Sequence, residues 1–255
     1  MAYSTRSYAR GYLSGSRLPP GIKWLLIANT AVFLLEWLAD HVAPSARLTE
    51  TLEYYFALTP AAVVGSLRIW QPVTYMFLHA GIWHILWNML ALWMFGVELE
   101  QTWGTEKFLR FYFLCGIGAG VCVVLMNYLF GDPRVATVGA SGAIYGVLAA
   151  SAALWPDRII LALFFPIKMK YFVGIIAAIT FLNSWNPNSG VSDFAHLSGL
   201  LIGFLYVKWP RWSTSGSGFH PLAGLQSGYL TWKRNRARRK FQVYLSKQAR
   251  GRDRW

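Results

Sequence analysis

Six apolar stretches divide residues 22–209 and leave few polar residues between them. A hydrocarbon core about 30 Å thick takes roughly 20 apolar residues in a helix. Backbone inside lipid has no water to bond, so it must bond to itself. A chain built this way folds as helices packed side by side. The stretches run over about 22–43, 82–102, 107–130, 141–155, 169–185 and 193–209. The fourth is short for a crossing. It suits a helix that starts below the membrane surface, with the preceding backbone buried in protein or lining a wet cavity. Composition agrees, since only 14% of the 255 residues are charged, against about 25% in soluble domains. The expected fold class is an all-α membrane protein with a six-helix bundle.

The basic residues give the bundle a direction. An even number of spans puts both termini on one side. The N-terminal segment, the C-terminal tail and the connectors on that side hold 21 of the 24 Lys and Arg; the other side has Arg47, Arg68 and Arg134. Positive residues mark the cytoplasmic side, so both termini are expected there. Three parts follow: a cytoplasmic segment 1–21, a membrane domain 22–209 and a basic cytoplasmic tail 210–255. The first 20 residues are polar and basic, so the stretch from Ile22 reads as an uncleaved anchor rather than a removed signal peptide.

Four connecting regions stand out. Residues 44–81 carry Tyr54, Tyr55, Phe56 and Trp70. They are too apolar for a solvated loop and too broken for a span, and read as a membrane-embedded outer loop. Residues 156–170 read as a cytoplasmic connector. Residues 183–192 are rich in turn formers and suit an outer lid. The tail opens on Ser213-Thr214-Ser215-Gly216-Ser217-Gly218, a flexible linker. Beyond it Leu230, Ala237, Phe241, Tyr244 and Leu245 form a loose stripe beneath the run Lys233–Lys240. An amphipathic helix on anionic lipid and plain disorder both fit that stripe. Beside a membrane domain such a run is a positive-inside anchor, and no nucleic-acid partner is expected. Cys115 and Cys122 lie seven apart in one predicted helix, about 10 Å along its axis, too far to pair.

Chemistry concentrates at three places. Ser141 lies among Gly139, Ala140, Gly142 and Ala143 at the start of the fourth stretch. Small residues let membrane helices approach closely, so packing alone explains the segment as well as a nucleophile does. His196 sits in the sixth stretch, with Gly199 and Gly203 after it. An ionisable group in a span is a functional candidate, and a Ser and a His on separate spans suggest a nucleophile and its base. His84 and Asn88 are four apart and share a helix face. With the Ser141 backbone N–H they could donate to an oxyanion; a polar helix contact is the alternative. Tyr145, one turn after Ser141, is placed to stack on His196. His79 precedes the second stretch and is expected to fix the loop or hold water. Asp193 is expected to cap the last helix rather than orient His196, leaving a Ser–His dyad.

The segment Gly139–Gly146, the cluster His79, His84 and Asn88, and Ala195–Gly199 together resemble the rhomboid family of intramembrane serine proteases. Trp70–His79 resembles the end of that family's first outer loop. Phe95-Gly96, Glu100, Trp103-Gly104 and Phe108 resemble the exit of its second span. The likeness covers about residues 22–208 and departs at Gln71, where many members have arginine. It implies a six-span bundle of bacterial type in an inner membrane, with a membrane-embedded first loop. It implies Ser141 as nucleophile, His196 as base and then acid, His84 and Asn88 in the oxyanion hole, single-span membrane proteins as substrates, and no metal or cofactor.

Rival chemistries lack their residues. No histidine is followed by Glu, as the zinc-protease motif requires. Asp132, Asp157 and Asp193 fall at or near predicted helix ends, unlike an embedded aspartyl pair. Lys168 and Lys170 are on the wrong side for a Ser–Lys dyad. A transporter would show repeats or broken helix pairs. The remaining alternative is a non-catalytic relative that binds or escorts membrane clients, which predicts loss of the Ser or the His.

Overall fold

The structure is a computed structural model that describes residues 18–42, 48–162, 165–185 and 190–209. The segment 1–17, the tail 210–255 with its linker and stripe, and part of the 183–192 loop lie outside the described residues. Helix α1 spans Pro20–Val42. Three short helices follow, α2 (Leu48–Phe56), α3 (Pro60–Gly65) and α4 (Gln71–Thr74), then a 3₁₀ turn at Tyr75–Phe77. Helix α5 (Ile82–Ala91) runs through a π-helical turn at Leu92–Gly96 into α6 (Val97–Trp103). Helices α7 (Thr105–Phe130), α8 (Ser141–Leu154), α9 (Met169–Asn183) and α10 (Gly190–Lys208) complete the bundle.

Each predicted apolar stretch is a helix, within a few residues of its expected ends. Among the described residues, three segments are long and apolar enough to cross a membrane: Pro20–Leu38, Ile82–Trp103 and Thr105–Phe130. At 14 and 15 residues, α8 and α9 are shorter than the ~20 residues of a full crossing. Helix α8 is buried around most of its circumference, from Gly142 to Ser151, as expected of a helix that is apolar on all sides. Helix α7 flanks it with Phe108, Phe111, Tyr112, Cys115, Ala119 and Val123 on its buried face. Both cysteines are free thiols.

A buried carboxylate ties the start of α1 to α6. Glu100 accepts hydrogen bonds from the Gly21 and Ile22 backbone N–H groups, both at 2.7 Å, and from the Thr105 hydroxyl. Helix N-termini leave such donors open and favour negative charge. Pro20, which has no N–H, occupies the first turn at no cost in hydrogen bonds.

The outer connection is folded rather than loose. Leu58 and Thr137 exchange backbone hydrogen bonds. Gln71 is fully buried. Its carbonyl accepts from the Thr59 N–H at 3.1 Å, and its amide lies 3.4–3.5 Å from the Tyr54 and Tyr55 carbonyls. Trp70 donates to the Tyr55 carbonyl, and the Arg68 guanidinium covers the Tyr54 ring. Gln71 therefore secures the loop through a neutral network. The connector at 156–170 holds an antiparallel pair, β1 (Ile159–Ala162) and β2 (Phe165–Lys168), a local departure from the all-α expectation.

Candidate active site

Ser141 is the first residue of α8. Gly139, two residues earlier, has φ +125°, a conformation that side-chain-bearing residues rarely adopt. A Cβ there would also stand 2.8 Å from the His84 ring. The turn therefore requires glycine on two counts. Tyr75 fastens it, its carbonyl accepting from the Gly139 N–H at 2.8 Å and its hydroxyl donating to the Gly116 carbonyl at 2.7 Å. The Ser141 N–H is one of the open donors of a helix start.

The seam between α8 and α10 brings His196 to Ser141. A Cβ on Gly199 would collide with the Gly142 carbonyl, and one on Gly203 with the Gly146 carbonyl. Two glycines on each helix thus let the backbones touch. His196 lies one turn before Gly199 on the same face, and its Nε2 is 2.8 Å from Ser141 Oγ. The Tyr145 ring stacks on the imidazole, with centroids 4.2 Å apart and planes 8° from parallel. The Tyr145 hydroxyl is 3.4 Å from Thr180 Oγ1 on α9. Asp193 is inside the first turn of α10, not at its cap. The helix begins three residues before it, so Asp193 is not the residue that precedes the helix. Its Oδ1 is 3.8 Å from His196 Nδ1, longer than a hydrogen bond.

The third cluster faces the same serine. His84 Nδ1 accepts from the Ala80 N–H at 3.4 Å. In a neutral imidazole the other nitrogen then carries the proton, so Nε2–H is the donor beside Gly139. Asn88 is buried, and its Nδ2 has no hydrogen-bond partner among the described residues. His79 Nδ1 lies 3.3 Å from the Phe77 carbonyl, to which it donates, and the ring meets His84 edge-on at 5.2 Å. His79 thus fixes the loop ahead of α5.

Two cavities flank Ser141. A cleft of about 450 Å³ is lined by Trp83, Trp87, Asn88, Tyr145, Phe172 and Ile176, together with Ser141 and His196. A smaller space of about 250 Å³ lies between Ser141, His84, His196 and the Thr137–Gly139 backbone. The predicted residues Ser141, His196, His84, Asn88, Tyr145, Gly139, Gly142, Gly199 and His79 therefore form one neighbourhood. Tyr75 and Thr180 join it without having been singled out. Thr180 is the one Ser or Thr in α9, which was the available signal; Tyr75 is one tyrosine among 13 and gave none.

Residues 66–211 match the Rhomboid domain family. The chain belongs to the rhomboid family. Relatives include RHOMBOID-like protein 1 of Arabidopsis thaliana, 33% identical over 175 residues, which are 64% of this chain and 41% of that protein. Rhomboid-like protease 3 of Toxoplasma gondii is 28% identical over 220 residues, 81% of this chain and 78% of that protein. Rhomboid protein 1, mitochondrial, of Saccharomyces cerevisiae is 32% identical over 192 residues, 71% of this chain and 51% of that protein. The chain thus spans about half or less of the Arabidopsis and Saccharomyces proteins. These relatives are not confined to bacteria, so the bacterial type expected above gives way to the family as a whole. Rhomboids are integral membrane proteins and include both proteases and pseudoproteases.

Proposed function

We propose that this chain is an intramembrane serine endopeptidase that cuts single-span membrane proteins. The observation that carries this reading is the 2.8 Å contact between Ser141 Oγ and His196 Nε2, in a chain of a family that includes proteases. His196 Nε2 takes the hydroxyl proton as Oγ attacks the scissile carbonyl. The tetrahedral oxyanion receives hydrogen bonds from the Ser141 N–H, His84 Nε2–H and Asn88 Nδ2, a set of preorganised donors. His196 returns the proton to the leaving amine. Water, with His196 again as base, then frees the acyl group from Ser141. Asn88 supports this assignment, because a buried amide donor without a partner is costly and an arriving oxyanion would satisfy it.

The same reading has six spans, a membrane-embedded first loop, and both termini in the cytoplasm with the tail 210–255 near lipid. The test is labelling of the purified full chain with a fluorophosphonate probe, beside Ser141→Ala and His196→Ala. Labelling of the unaltered chain alone is the expected result. A folded protein that binds a single-span peptide and takes no label would overturn the reading in favour of a client-binding pseudoprotease.

A further inference from the structure

The hairpin between α8 and α9 has the wrong surface for water. Residues 159–167, Ile-Ile-Leu-Ala-Leu-Phe-Phe-Pro-Ile, form nine successive positions without a polar side chain. An antiparallel pair with one solvated face alternates apolar and polar residues. Here the inner face sends Ile160 and Ile167 to the core. The outer face, which carries Ile159, Leu161 and Pro166 with Lys168 at its end, is apolar too, with Ile159 65% and Leu161 68% exposed; Phe165, on the Ile167 side of its strand, is 75% exposed as well. A two-stranded hairpin is marginal by itself, so a bare apolar face is a liability unless something covers it.

Its surroundings say what covers it. The chain passes from β2 at Lys168 directly into α9 at Met169. The exposed face of α9 continues the apolar surface through Tyr171, Ile175 and Ile179. Cations and aromatic residues cluster where strand meets helix. Lys168 and Lys170 both hydrogen-bond Asp157, holding its carboxyl below the ordinary carboxylate value. Lys170 lies over the Tyr171 ring, and Arg158 pairs with Glu98. Three cations against two carboxylates leave a positive margin. Tyrosine and lysine at the end of a membrane helix are interfacial residues.

The geometry points to this hairpin as a bilayer anchor. The outer face of β1–β2 lies in the boundary between headgroups and acyl chains, and Lys168 and Lys170 meet lipid phosphate. The occupant is phospholipid, because the patch runs into the exposed apolar face of α9 in a membrane protein and ends in residues suited to headgroups. The assignment rests on the membrane character of the chain, not on its protease chemistry.

The test uses the full chain with Cys115→Ala and Cys122→Ala, carrying an environment-sensitive fluorophore on a Leu161→Cys substitution. The protein is reconstituted into vesicles of phosphatidylcholine and phosphatidylglycerol, with or without lipid bearing a shallow nitroxide. Blue-shifted emission that the nitroxide lipid quenches and aqueous iodide does not is expected. Emission typical of water with quenching by iodide would overturn the proposal. So would self-quenching that rises with protein density while nitroxide lipid has no effect, since that marks a second copy on the face. Ile159→Cys, on the same face as Leu161, repeats the measurement, so that poor folding of one variant does not decide it.

Discussion

Helix α8 meets its neighbours in two unlike ways. Toward α10, glycines at 142, 146, 199 and 203 bring backbone against backbone, and the Ser141–His196 contact sits in that seam. Toward α5 and α9, large side chains hold the helices apart, and Trp83, Trp87, Phe172 and Ile176 line an open cleft. Close packing leaves a side chain few alternative positions, whereas a cleft leaves room for a bound segment. The Ser141–His196 pair is therefore held in the rigid seam and also lines the open cleft. One short, apolar helix serves both because its small residues fall on one face and Ile144 and Leu148 on the other.

The largest effects belong to the seam. His196→Ala should abolish fluorophosphonate labelling and peptide cleavage, by about 10⁶-fold for removal of a base from a serine site. A residual rate within tenfold of the unaltered chain would remove His196 from the mechanism. Asn88→Ala should lower kcat by about 10²–10³-fold with KM little changed, as for one oxyanion donor. Because Asn88 Nδ2 has no partner to lose among the described residues, Tm should stay near that of the unaltered chain; a large fall would make Asn88 structural. Gly199→Ala sharpens the contrast further. Its Cβ has nowhere to go but into the Gly142 carbonyl. Separating the helices should cost about 1–3 kcal/mol and about 10²-fold in rate through a misplaced imidazole. Thermal melting and cleavage should fall together, whereas Gly174→Ala on α9, where a Cβ meets open space, should leave both unchanged.

These contrasts also explain what could be read in advance. Helix positions were legible because apolar length sets them, and the Tyr145–His196 stack followed from a four-residue spacing. The Gly199 approach was visible as a glycine repeat beside a histidine. The β1–β2 pair was not legible. A continuous apolar run has no two-residue alternation to mark a strand, and its outer face follows the bilayer rather than water. Gln71 was missed as an anchor because a neutral amide in place of arginine looks like a loss, while its carbonyl and amide reach Thr59, Tyr54 and Tyr55 only in the folded loop. Asp193 was placed one turn too early because the helix begins at Gly190, within turn-forming residues that carry no apolar signal.

Thr180 joins the two sides of α8, and its effect should be the smallest. The rigid face ends at Tyr145, whose ring lies flat on His196. The cleft is bounded by α9, which carries Thr180 as a buried hydroxyl 3.4 Å from the Tyr145 phenol. The contact is long and neutral, so its removal is worth about 1 kcal/mol, or roughly fivefold. Thr180→Val keeps the shape and deletes the hydroxyl. If the two sides act separately, the variant should alter only KM, through a looser cleft. If Thr180 steadies Tyr145 and so the imidazole, kcat should fall about fivefold with KM unchanged. The stacking geometry favours the second outcome, since a ring parallel to within 8° transmits a tilt directly to His196 Nε2. Tyr145→Phe should then reproduce the loss, and combining the two substitutions should add nothing, because both remove the same contact. Additive losses would place Thr180 with the cleft and leave the seam to hold His196 by itself.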